Sequence, residues 1–208
     1  MSDITIIGAG SMAGAIAALA AKGGRSVQVL ARDADAAAAV AGPLEGATSG
    51  TVGDDLASEI VVLAVPYPAV ADLLAAYEGR LNGSVLVDIT NPLDFSTFDS
   101  LVVPADGSAA AEIAAAVPGA RVLKAFNTTF ASTLASGSVG DAQPTTVLIA
   151  GDDAAAKAAL AAIVTDGGLR AVDAGALSRA REAEALGFLQ LTLAAQEKIA
   201  WTGGFALI

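Results

Sequence analysis

The 208-residue chain is 54% hydrophobic, 16% charged and 4% aromatic, with 22 acidic side chains against 11 basic ones and a formal charge of -11. That apolar content excludes disorder, the acidic balance argues against nucleic-acid binding, and the length fits one full domain or a domain with a small appendage. Cys and His are both absent, which excludes disulfides, thiolate nucleophiles, Cys-ligated metal and every imidazole base, and no metal site is expected.

Strand and helix signals alternate along the chain with little spare loop. Asp3–Ile7 is a short apolar run, followed by a glycine turn and an alanine-rich helix to about Lys22. The uncharged stretch from Ile4 to Ala21 is as long as a membrane span, but Asp3 stands where a signal peptide would be basic, and three glycines interrupt it. It reads as buried strand, turn and buried helix in a cytoplasmic protein, with no membrane partner expected. Ser26–Leu30 is the second strand; Asp33 caps a helix to about Ala41, which Gly42-Pro43 ends. Ala47–Val52 is a short third strand, and the continuous apolar run Glu59–Val65 suits a parallel strand covered on both faces.

A helix over Ala69–Glu78 and a strand over Ser84–Thr90 follow, and the stretch Asp94–Val103 is irregular. Helix Ser108–Ala116 and strand Arg121–Phe126 come next. Strands Thr145–Ala150 and Leu169–Val172 bracket a helix over Asp153–Val164. A last helix runs from Ser178 to about Ala200, apolar nearly all round, so it must be buried on more than one side. Such alternation predicts an α/β fold, a doubly wound, Rossmann-type, mostly parallel sheet with a small helical C-terminal extension. The expected division is a dinucleotide-binding part over 1–150 and an extension over 151–208 that packs on it and on a partner subunit. One side of the last helix holds Leu186, Leu189 and Leu193, another Phe188, Leu191 and Ala195. One can face the sheet; the other needs a cover, either a second copy in a homodimer or the segment Trp201–Ile208 folding back.

The motif richest in chemistry is Gly8-Ala9-Gly10-Ser11-Met12-Ala13. Gly8 permits a tight turn out of the first strand, Gly10 lets backbone approach a pyrophosphate, and Ala13 lets helix and strand pack closely. The helix that starts here aims free N–H groups and its positive end at phosphate. An NAD site usually places a carboxylate at the end of the second strand for the ribose 2′-hydroxyl. Here that place holds Leu30-Ala31, then Arg32, whose guanidinium suits a 2′-phosphate, so NADP is expected. The alternative is a solvated Arg32 beside a purely capping Asp33. Further candidates are the loops after strand ends: Val65-Pro66-Tyr67-Pro68, Thr90-Asn91-Pro92 and Phe126-Asn127-Thr128-Thr129. They would converge near a nicotinamide, although prolines also end strands, Asn91 and Asn127 also make turns, and Tyr67 could be a core-edge aromatic.

The order GAGSMA, LAR, AVP, DITNPL, KAFNT, IAGDD and VDAGAL resembles the NADPH-dependent deazaflavin reductases, the NADP oxidoreductases dependent on coenzyme F-420, from Ile4 to Leu207. That resemblance implies NADP along the glycine loop, with Gly8 to Met12 at the pyrophosphate and Arg32 at the 2′-phosphate. It places Val65, Pro66, Asn91 and Ala131 on the nicotinamide side, with a deazaflavin stacked nearby against the C-terminal part. The sequence departs from some members at Ala31 and Ala36, where they carry a hydroxyl and a basic residue, so Arg32 is left as the one obvious phosphate ligand.

The chemistry fits the missing residue types. Hydride transfer between a nicotinamide and a deazaflavin or flavin needs two rings held face to face, and no catalytic protein acid or base is expected. Ketone reduction normally wants a His, Lys or Tyr donor; Lys124 lies near the site, but a lysine at a strand end is more often a surface charge. Two other readings stand beside the deazaflavin reductase: an NADPH-dependent flavin, quinone or other small-molecule reductase, and a non-catalytic NADP(H)-binding redox sensor.

Overall fold

Charge-free runs of Ile, Val and Leu become the buried strands of a single large sheet in the computed structural model, which describes residues 2–208. In chain order the elements are β1 (Ile4–Ile7), α1 (Ser11–Lys22), β2 (Val27–Ala31), α2 (Ala34–Ala41), β3 (Thr48–Thr51) and β4 (Ile60–Leu63). Then come α3 (Val70–Ala76), β5 (Val85–Asp88), α4 (Ala109–Ala116), β6 (Arg121–Ala125) and α5 (Ala131–Ser136). A two-residue ladder, β7 (Ser138–Val139) with β8 (Gln143–Pro144), precedes β9 (Thr146–Gly151), α6 (Ala154–Asp166), β10 (Arg170–Gly175) and α7 (Ala180–Ala195).

The eight-stranded sheet has the order β10-β9-β6-β5-β4-β1-β2-β3. Every neighbouring pair is parallel except β6 with β9. The chain moves outward from β1 to β2 on one side and to β4 on the other. This opens a crevice at the carboxyl ends of β1 and β4, the place where ligands bind in open α/β sheets. One apolar layer joins α1, α2, α5 and α6 to the sheet through Ile16, Ala37, Leu134 and Leu160. The opposite layer sets Leu73 of α3, Ile113 of α4 and Ala180 of α7 against Ile7, Leu63 and Leu86. The mostly parallel Rossmann-type sheet with a C-terminal helix is the fold expected from the alternation.

Short stretches differ from expectation for local reasons. The connection from β6 to β9 contains α5 and the β7–β8 ladder, and β9 enters antiparallel to β6. The last helix is shorter at both ends. Leu177–Arg179 form a 3-10 turn before it. At its carboxyl end Glu197 adopts φ +58°, Glu197 N–H donates to the Ala194 carbonyl, and Lys198 N–H donates to the Leu193 carbonyl. Those paired bonds across a left-handed residue are a Schellman stop, with Glu where Gly is usual.

The α7 face turned inward is not the leucine face. Its buried residues are Ala180, Glu184, Gly187, Gln190 and Ala194, whereas Leu189 is 49% exposed. Residues beyond the helix fold back along it: Phe205 N–H donates to Gln190 Oε1 at 2.9 Å, and Arg170 donates to the Leu207 carbonyl at 3.1 Å. The Trp201 ring rests on Phe130 with centroids 4.9 Å apart. Among the described residues, no helix is long and apolar enough to cross a membrane.

Candidate functional site

The crevice between β1 and β4 opens into a groove of about 700 Å³. Gly8, Ala9, Gly10, Ala31, Arg32, Val65 and Pro66 all line it, joined by Ile7, Asp33, Ala36, Val52, Ala64, Ala69, Asp72 and Leu73. Ser11 and Met12 open α1 at the rim; Ser11 is exposed, while Met12 packs against the core. Tyr67, Asn91, Asn127 and Ala131 stand outside that lining.

Two glycines build the floor, under different constraints. Gly8 has φ +136°, and a Cβ there would run into the Ala64 carbonyl, so the protein itself demands glycine. Gly10 has φ -83°, and a Cβ there would meet no protein atom within 4 Å. No protein atom crowds that point, so beyond the modest N-cap preference of glycine over alanine, close approach of a ligand is the reason for it. No side chain caps α1, and its first turn carries no acidic residue, so its leading N–H groups face the groove with the helix dipole behind them. Across the groove Asp33 is occupied: Oδ1 accepts from Asp35 N–H at 2.9 Å and Ala36 N–H at 3.3 Å, capping α2. Arg32 is exposed and forms no ion pair with the described residues. Bare helix amides, a ligand-sized gap at Gly10 and an unpaired guanidinium fit a phosphorylated dinucleotide.

The strand-end loops beyond the groove are tied to one another. Asn91 Nδ2 donates to the Asn127 carbonyl at 3.0 Å, and Asn127 Nδ2 donates to Asn91 Oδ1 at 3.0 Å and to the Ala183 carbonyl at 2.8 Å. Gly187 of α7 lies on this pair so closely that a Cβ would overlap Asn91 Oδ1. Just before Asn127, the buried Phe126 adopts φ +63°, and Asn127 N–H donates to the Ala125 carbonyl at 2.8 Å. A left-handed γ-turn at a bulky residue costs roughly 1–3 kcal/mol and persists only where the surroundings enforce it.

Lys124 is not a surface charge. It is 1% exposed, and its ammonium donates to Asp88 Oδ2 at 2.7 Å, Glu184 Oε1 at 2.8 Å and the Thr90 carbonyl at 2.6 Å. A strand inside the sheet covered on both faces leaves its lysine no exit to solvent, so its burial follows from its place in β6, while its partners do not. Glu184 also accepts from Ala109 N–H at 2.9 Å and Ala110 N–H at 3.3 Å at the start of α4. Burial raises the Glu184 carboxyl above its ordinary range, against the opposing pull of Lys124 and the α4 amides. Tyr67 donates its phenol proton to Glu112 of α4; burial first, then that bond, push its pKa far up, so it stays protonated. Among the described residues no cluster of acidic side chains is arranged to hold a metal ion.

Comparison with known proteins agrees with this geometry. Residues 3–92 match the family described as NADP oxidoreductase, coenzyme F420-dependent. The chain is 33% identical over 163 residues, 75% of its own length and 70% of the relative's, to the F420-dependent NADP reductase of Methanothermobacter marburgensis. A crystal structure from Arthrobacter sp. FB24, provisionally named an F420-dependent NADP reductase, superposes with a TM-score of 0.85 at 27% identity over 100% of both chains. An imine reductase from Aspergillus terreus is similar in fold alone, with a TM-score of 0.64 at 23% identity, over 92% of this chain and 61% of that one.

Proposed function

Because the chain belongs to the coenzyme F420-dependent NADP oxidoreductase family and is an NADP-dependent oxidoreductase, we propose that it moves a hydride between NADP(H) and a deazaflavin of the F420 type. The observation that carries this reading is the occupancy of the lysine and the tyrosine nearest the strand ends, Lys124 and Tyr67. The three Lys124 protons are held by Asp88, Glu184 and Thr90, and the Tyr67 phenol is held by Glu112. An acceptor that needed a proton from the protein would find neither group free, whereas a ring that accepts hydride directly needs none.

In this reading Arg32 holds the 2′-phosphate, and Gly8, Ala9 and Gly10 with the α1 amides of Ser11 and Met12 cradle the pyrophosphate. Ala31 borders the ribose, while Val65, Pro66, Tyr67, Asn91, Asn127 and Ala131 bound the nicotinamide side. When bound, the reduced nicotinamide would supply a hydride, and the single proton that completes the reduction would come from solvent. The chain's contribution is to bind, orient and exclude water. Residues 1–150 serve the dinucleotide, and 151–208 form the extension that meets a partner subunit.

The test is a steady-state assay with saturating NADPH and purified deazaflavin, following loss of the deazaflavin absorbance. Rapid oxidation of NADPH supports the reading. Failure with deazaflavin but turnover with FMN or a quinone replaces it by a flavin or quinone reductase, and NADPH binding without turnover by any acceptor replaces it by a redox sensor.

A further inference from the structure

Lys124 joins segments that are far apart in the chain. From β6 it reaches Asp88 at the end of β5, the turn carbonyl of Thr90 and Glu184 of α7. Asp88 returns its other oxygen to the same turn, accepting from Thr90 N–H at 2.8 Å. Both backbone groups of Thr90 are thereby fixed, one by the lysine and one by the lysine's own partner. Asn91 follows at once, and its amide is clasped to Asn127, two residues beyond the end of β6. Glu184 anchors α7 so that Ala183 and Gly187 press on that clasp. The ammonium therefore sits at the root of both loops, with no proton left to offer a substrate.

We infer that Lys124 is a positioning residue for hydride transfer, acting through Thr90 and the Asn91–Asn127 clasp to hold the nicotinamide side of the site in one arrangement. The inference rests on the function proposed above. A buried ammonium with two carboxylates is an expensive way to stabilise a fold, because well-packed apolar side chains of similar volume often do as well or better. What the cluster adds is direction: three fixed donors on β6 aimed at two other segments, two at the β5 end and its turn, which leads into a site loop, and one at α7. Hydride transfer depends steeply on the separation and alignment of donor and acceptor, so small looseness in these loops is felt in the reaction more than in cofactor affinity at the distant Arg32.

The experiment compares wild type with Lys124→Met and with the charge-free triple variant Asp88→Asn/Lys124→Met/Glu184→Gln, which leaves no unpaired buried charge if the single variant fails to fold. Each is titrated with 2′-phospho-ADP-ribose, which lacks the nicotinamide, and with NADPH, whose ring fluorescence and anisotropy report immobilisation. The fragment should bind folded variants within about twofold of wild type, while bound NADPH loses about half or more of its fluorescence enhancement and hydride transfer to deazaflavin slows about tenfold or more. A folded variant that keeps the fluorescence signature and the transfer rate overturns the inference alone. Equal losses for fragment and NADPH also overturn it, since they mark general damage. Wild-type protein that binds neither probe overturns this inference together with the functional reading beneath it.

Discussion

At Gly8 the backbone has φ +136° with the Ala64 carbonyl where a Cβ would go, while at Gly10 the backbone is ordinary and the neighbouring space holds no protein atom. Substitution should separate these two demands. Gly8→Ala should lower stability by about 2 kcal/mol or more, through strain and a backbone clash that cannot relax. Gly10→Ala should cost no more than about 1 kcal/mol as a weaker helix cap, yet lose most NADPH affinity. Urea denaturation beside fluorescence titration checks both, and a Gly10→Ala protein with intact binding removes the pyrophosphate role. Arg32 supports a second prediction, because it is exposed, unpaired and on the groove wall. Arg32→Ala should weaken NADPH binding by about 1.5–3 kcal/mol and leave NADH nearly unchanged, as expected for loss of a charge-assisted bond to the 2′-phosphate. Wild type binding both coenzymes equally would contradict it.

Among the elements, α4 depends on a neighbour for its start. Ser108 Oγ accepts from Ala111 N–H at 3.1 Å, and the Glu184 carboxylate of α7 takes the two preceding amides. Ser108→Ala should cost about 1 kcal/mol as a lost cap, whereas Glu184→Ala should cost more, about 3 kcal/mol, because it takes one of the three Lys124 partners and leaves two buried amides unbonded. The pH dependence of Glu184 has a definite sign. Burial holds its folded carboxyl above the ordinary 4.5. The folded state binds that proton more tightly than the unfolded chain, so the contribution is complete below the ordinary value and declines as pH rises through the raised one. The stability of wild type relative to Glu184→Gln should fall as pH rises above the ordinary carboxylate value, and a rise in urea midpoints in that direction would refute the assignment. The sequence exposed the elements unevenly. Strand β4 and helix α1 were legible because their signals are local: an unbroken apolar run, and glycines followed by alanines. Helix α5 was not, since its few residues begin after Phe130 with no acidic or hydroxyl cap, and the Thr133 hydroxyl that accepts from Phe130 N–H does not stand out in sequence. The reversal of β9 was hidden because an apolar run fixes burial but not direction. In the site, the glycine loop and Arg32 could be read from spacing, while the Lys124 cluster could not, its members lying on β5, β6 and α7.

At the scale of the whole molecule, α7 and the tail beyond it carry much of the exposed apolar surface: Trp201 is 51% exposed, Phe205 45%, Leu207 43% and Leu189 49%. The tail that folds back covers part of α7 and leaves its own aromatic rings half in water. A second copy is the cover we expect, so light scattering at micromolar concentration should give a dimer mass, and Leu189→Glu should return it to monomer. Two copies each carrying -11 repel one another, so dimerisation should strengthen as salt rises. A persistent monomer in wild type would refute this. The contact between Glu184 and the start of α4 also governs the order in which a growing chain can finish its site. Asp88 and Lys124 leave the ribosome well before α7, and until Glu184 arrives the first amides of α4 and one lysine proton must be hydrated. The groove around Gly8 and Arg32 is complete much earlier, since all its lining residues precede α4. A nascent chain should therefore acquire the means to grip a nucleotide before it can hold the reacting end still, a step that waits for α7 to emerge and dock.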